Sequence, residues 1–218
     1  MKTRRAAGFR RVGGTIVFGW LAVGGGLPAA SGLDMEGRPA WTTYWGGESW
    51  ESVVAASVNA AGAAFVCGAD DGSSSQTGKP DPGPCAYVAK IRTDGHIEWW
   101  VWIGRQLNVS AVAATPDGGV CVVGDGPRRH FKDAAPDASE DGLFVLKLGP
   151  KGDLQWQTFL TTPGCTAAGL AVDGQGSIYA TGNAAPWWKS AAPGPAAKNA
   201  SGLVFKLSSL GAVKWTRR

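Results

Sequence analysis

Few side chains in this 218-residue chain could do covalent or metal chemistry. There are four cysteines, Cys67, Cys85, Cys121 and Cys165, and two histidines, His96 and His130. No Cys/His spacing suits zinc. Asp70-Asp71-Gly72-Ser73 is acidic but lacks the alternating oxygens of an EF-type calcium loop and reads as a solvated turn. No nucleophile elbow or paired-carboxylate motif occurs, and the Gly-rich runs lack the strand–glycine–helix context of phosphate binding. No catalytic residue, metal or cofactor is therefore expected. The aromatic side chains offer more. Trp187, His130 and Trp50 fall in or beside polar segments, where an exposed ring could stack on a sugar or a partner side chain. The plainer reading of Trp187 is partial burial under its own loop. Trp102 is a weaker candidate of the same kind.

These residues are positioned by a repeat. Lys90-Ile-Arg-Thr-Asp-Gly-His-Ile-Glu-Trp99 recurs as Lys147–Trp156 and as Lys206–Trp215, at intervals of 57 and then 59 residues. Each copy has Gly five positions after Lys and Trp nine after it. A fixed period of this length marks a repeat architecture. Two further glycines, six apart, follow each Trp-bearing segment: Gly62/Gly68, Gly118/Gly124 and Gly176/Gly182. The turns Asn59–Gly62, Thr115–Gly118 and Asp173–Gly176 open with a backbone-bonding side chain and close with Gly, which is hairpin chemistry. Positions 87/89/91, 144/146/148 and 203/205/207 are apolar at period two, so a strand ends near each lysine.

Each unit is thus expected to be four antiparallel strands, small side chains first and Trp last. That gradient suits a β-propeller blade, whose inner strands crowd an axis and whose rim has room. A parallel β-helix would have shorter repeats and no regular hairpin turns. The expected domain plan is a signal peptide over 1–31, a short lead over 32–40 and a repeat domain over 41–218, with blades near 53–103, 111–159 and 168–216. A lone outer strand at Trp41 is expected ahead of them. Three blades fall short of the four to eight of closed propellers. A fragment of a longer protein, an open arc and a ring of copies are all compatible, and a partial reading frame is favoured.

The run Leu-Phe-Val-Leu-Lys147-Leu-x-x-x-Gly-x-Leu-x-Trp156, with Ala-Val-Asp-x-x-Gly176-x-Ile-Tyr-Ala-Thr-Gly182, resembles the SBBP-type β-propeller repeat of secreted bacterial proteins. The resemblance covers Trp41–Arg218 and implies a propeller fold. It says little about ligand. Trp41-Thr-Thr-Tyr-Trp-Gly-Gly47 matches the family's outer strand with its Gly-Gly exit, which Gly104-Arg105 and Thr161-Thr162 have lost.

Charge narrows the partners. The formal net charge is +4, but residues 1–30 carry five bases and no acid, leaving 16 bases against 17 acids beyond them. Nothing there attracts nucleic acid or an anionic membrane. The basic start, the apolar Val12–Leu27 and the small residues Pro28–Ser31 read as a cleaved secretory signal, with an uncleaved anchor as the alternative. A secreted chain can form disulfides. Cys67 is read as the end of a second strand and Cys85 as the start of the third, so a Cys67–Cys85 bridge is expected to close the loop between them. The opposing reading is four buried thiols.

The long segments share a further pattern. His130–Pro136 matches Trp187–Pro193 at an offset of 57, pairing Phe131 with Trp188 as loop anchors. Trp187 takes the place of His130, so its size is not dictated by the fold. The expected function is a secreted, non-enzymatic binding or structural module that contacts a protein or glycan through its loop face, with possible self-association through open blade edges. The alternative is a fragment of a larger propeller enzyme whose site lies in other blades.

Overall fold

The computed structural model describes residues 41–44, 51–70, 85–130, 141–160, 164–184 and 201–217. They form three four-stranded antiparallel sheets, each with its strands in sequence order. The first holds β1 (Glu51–Val58), β2 (Ala64–Asp70), β3 (Cys85–Ile91) and β4 (Ile97–Arg105). The second holds β5 (Asn108–Ala114), β6 (Val120–Pro127), β7 (Asp141–Leu148) and β8 (Leu154–Leu160). The third holds β9 (Cys165–Val172), β10 (Ile178–Ala184), β11 (Ser201–Leu207) and β12 (Val213–Arg217). The only helical turn among the described residues is a 3-10 turn, Arg128–His130. The signal segment and lead lie outside the described residues.

The six tight turns are built alike. In each, the Gly N–H bonds the carbonyl three residues back and the opening residue's N–H bonds the carbonyl four ahead, as in Gly152 N–H to Gly149 O at 2.9 Å and Gly149 N–H to Asp153 O at 2.8 Å. This is a type I turn closed by a left-handed residue, and the six glycines have φ of 80–82°. Side chains finish the turns. The Asn59 carboxamide accepts from the N–H groups of Ala61 and Ala63, and the Asp173 carboxylate from those of Gln175 and Ser177.

The second glycine of each pair does different work. Gly68, Gly124 and Gly182 sit within strands, opposite a β-bulge in the neighbouring β1, β5 or β9. A Cβ on Gly124 would run into the Asn108 carbonyl and lie 2.5 Å from the Phe144 ring, and one on Gly68 would meet the Ser52 carbonyl. The bulge pushes backbone toward these positions, so any side chain is excluded.

The sheets stack face to face with two apolar layers between them. Phe65, Cys67, Val88 and Val101 of the first sheet meet Val120, Val122, Phe144, Leu146 and Leu148 of the second. Cys121, Val123, Leu143 and Val145 on the second sheet's other face meet Ile178, Ala180, Leu203, Phe205 and Leu207 of the third. Both faces of the second sheet are buried, which is why β6 and β7 read as near-continuous apolar runs. Residues 41–44 lie against the first sheet but are not paired as a strand, so the lone outer strand expected at Trp41 is absent among the described residues.

Candidate functional site

Register brings the repeat markers together. Lys90, Lys147 and Lys206 stand directly across from Trp99, Trp156 and Trp215. A bulge before each Trp skips Glu98, Gln155 or Lys214, and this turns the Trp onto the lysine's face. The Trp then reaches out of its own sheet. Trp99 Nε1–H donates to the Pro150 carbonyl at 2.8 Å, and Trp156 Nε1–H to the Ser209 carbonyl at 3.0 Å. Each acceptor lies in the β3–β4-type turn of the next sheet. The indole covers that turn's glycine: a Cβ on Gly152 would lie 3.0 Å from the Trp99 ring, and one on Gly211 would lie 2.7 Å from the Trp156 ring.

Trp41 repeats this contact on the first sheet, its ring 2.8 Å from where a Gly95 Cβ would stand. Thr43 Oγ1 donates to the Gly95 carbonyl as Thr158 Oγ1 does to the Gly211 carbonyl at 2.7 Å. Trp and a Thr two residues on thus clasp the same turn at two positions. Sequence reasoning marked Trp and Gly as separate repeat features. It missed that the Gly of one unit is the seat for the Trp of the unit before, although both stood at fixed spacing.

The three lysines have different partners. Lys90 pairs with Glu98 at 3.1 Å and also reaches the Pro150 carbonyl across the seam at 3.5 Å. Lys147 pairs with Asp117 of the β5–β6 turn, which also accepts from Thr115 Oγ1 at 2.5 Å and Gly119 N–H at 3.3 Å. Lys206 lies 5.0 Å from the centre of the Tyr179 ring. Burial pushes the Asp117 carboxyl upward, but the hydrogen bonds from Lys147, Thr115 and Gly119 outweigh it and leave the carboxyl below its ordinary value. Asp125 is a further polar link that sequence reasoning missed. It accepts from Asn108 Nδ2 at 3.0 Å and from the Ala167 N–H of the third sheet at 3.1 Å.

A cavity of about 160 Å³ opens at the seam between the second and third sheets, beside Lys147, Asp117, Gln175 and Ser209. Gly174 and Ser209, which line it, stand where the second unit has Pro116 and Pro150.

The cysteines correct an expectation. All four are free thiols, and no Cys67–Cys85 bridge forms. β2 runs on past Cys67 to Asp70, so Cys67 stands opposite Val88 while Cys85 stands opposite Asp70. Three strand positions separate the two along the ladder, on the order of 10 Å and beyond disulfide reach. Burial pushes the Cys67 and Cys121 thiols up to about 12, which makes them poor nucleophiles. Burial, then the Asp70 charge, also raises Cys85.

Trp187 and Trp50 lie outside the described residues, as do Phe131 and Trp188. His130 ends the 3-10 turn, and its side chain is outside the described set. Trp102 is described and is 39 % exposed, edge-on to Trp100 at 4.8 Å. Among the described residues no cluster of three His, Cys, Asp or Glu side chains could hold a metal ion, and no helix is long and apolar enough to cross a membrane.

The two ends of the sheets differ. Every tight glycine turn lies at one end. The second strands end and the third strands begin at the other; of the connecting segments 71–84, 128–140 and 185–200 only the Arg128–His130 turn is among the described residues. No known family model matches the chain, and no curated protein matches it.

Proposed function

We propose that the chain is a secreted, non-enzymatic binding module built as an arc of three SBBP-like propeller blades, and that its long-loop end contacts a protein or glycan. The observation that carries this reading is the asymmetry between the ends. At the turn end, the recurring polar and aromatic groups are engaged within the fold: Trp99 and Trp156 fasten their sheets to the next turn, and Lys147 pairs with Asp117 inside the second sheet. The loop end carries the three longest connections, 71–84, 128–140 and 185–200, whereas every connection at the turn end is short and closed by the same left-handed Gly. A rigid scaffold presenting variable loops at one end is the usual arrangement of a recognition surface. Trp187, which replaces His130 at one loop position, supplies a flat amphipathic ring there.

The test is an array of purified glycans and secreted proteins probed with the full chain and with Trp187→Ala. A ligand should be retained by the wild type and weakened at least about tenfold by Trp187→Ala, with an unchanged melting temperature. Equal binding by both, or a variant that melts early, contradicts the reading of this residue. The secreted location is checked by recovering the chain outside the cytoplasm with its first 31 residues removed.

A further inference from the structure

We infer that the Trp215 face of the third sheet is a docking seat for the first sheet of a second copy of this chain, giving head-to-tail association. The occupied seams supply the template. In each, a Trp opposite the repeat lysine lays its ring on a left-handed Gly of the next unit and donates its N–H to a carbonyl two residues before that Gly. Trp215 has the same register opposite Lys206, with the same bulge before it. Among the described residues no turn lies on its ring. A cavity of about 390 Å³ takes that place, lined by Gln175, Ser177, Lys206, Ser208, Lys214 and Trp215. Among the described residues Lys206 meets no carbonyl across a seam, and it lies over Tyr179.

The complementary surface is present on the same molecule. The β3–β4 turn of the first sheet, with Gly95 at φ 82°, has the geometry of the two turns that receive Trp99 and Trp156. Its seat holds Trp41 and Thr43, a short clip that is not paired into a sheet. Beneath the clip lie Val66, Ala89 and Ile91, each no more than 1 % exposed, flanked by Trp100. A chain that carries a Trp face at one end and a turn face at the other can join copies heterologously, into a ring or an open array. The incoming third sheet must displace the clip. It offers the same Trp together with a whole sheet face, so the exchange replaces one ring contact by a full seam. The open face also carries Thr181 where the second sheet has the buried Val123, and an exposed Asn183, which keeps an unpaired copy wettable.

The experiment is size-exclusion chromatography with light scattering on the full chain over roughly a hundredfold range of concentration, since association follows mass action. The wild type should gain mass as concentration rises. Trp215→Ala should stay monomeric with unchanged circular dichroism, because that ring is only half-buried. Trp41→Ala, which clears the seat, should associate at a concentration at least about tenfold lower than wild type. The double variant should be monomeric, which separates docking from adhesion of a bared apolar face. Association that survives Trp215→Ala or persists in the double variant overturns the proposal, as does a Trp41→Ala variant that stays monomeric throughout. The outcome is independent of the loop-end reading, which uses the opposite end of the sheets.

Discussion

Lys147 shows what a repeat lysine does when its sheet is covered on both sides. Its side chain is 9 % exposed, and its charge is balanced by Asp117, which is 49 % exposed. A buried ammonium without that partner would be costly, so the turn supplies a carboxylate at Asp117, where the equivalent turns have Ala61 and Gln175. The Asp117 carboxyl is held below its ordinary value, so its contribution to stability is fully present above the unfolded pKa of about 4 and is lost as pH falls through the folded value. Asp117→Asn should lower stability at neutral pH by about 1 kcal/mol, discounted for the carboxylate's exposure. In denaturant melts the gap between wild type and variant should hold at neutral pH and close below about pH 4. A gap that stays open or widens in acid would mean that the pair does not contribute through its charge.

At the scale of the element, glycine separates what the sequence discloses from what it hides. The period, the four-strand unit and the glycine turns were legible, because turn chemistry and two-residue alternation are local signals. Gly62 and Gly68 look alike in sequence, but Gly62 takes φ 81° in a turn while Gly68 lies mid-strand, where a bulge in β1 leaves no room for a side chain. Reading the second glycine as a strand end placed Cys67 at the edge and produced the disulfide expectation. What overturns it is the continuation of β2 through Gly68 to Asp70 in register with β3, a pairing between strands that no local pattern announces. The same distinction makes a paired prediction. Gly124→Ala should cost at least about 2 kcal/mol, since the new methyl meets the Asn108 carbonyl and the Phe144 ring. Gly174→Ala, where nothing lies within 4 Å, should be close to neutral. Similar melting temperatures for the two variants would remove the bulge as the reason for Gly124. Of the site expectations, the lysine–tryptophan pairing was legible as a spacing. Its purpose was not, because the acceptor for each indole lies 51 or 53 residues away, in another sheet.

At the scale of the whole molecule, three sheets are joined by one contact used repeatedly. Apolar layers supply the bulk of each seam, and the Trp on the next turn sets its alignment: a ring must find a glycine, and an N–H must find one carbonyl. The contact is directional, so among the described residues the first sheet's turn is clasped by Trp41 and Thr43 rather than by another sheet, and Trp215 of the third meets no turn. The measurement that tests this most directly is hydrogen exchange of the indole N–H groups by NMR, at a concentration where the chain is monomeric. Trp99 and Trp156 donate to Pro150 and Ser209, whereas Trp215 has no acceptor among the described residues. The indole protons of Trp99 and Trp156 should exchange at least about tenfold more slowly than that of Trp215. Equal exchange at all three, or protection of Trp215 alone, would contradict a stack in which each tryptophan fastens its sheet to the next.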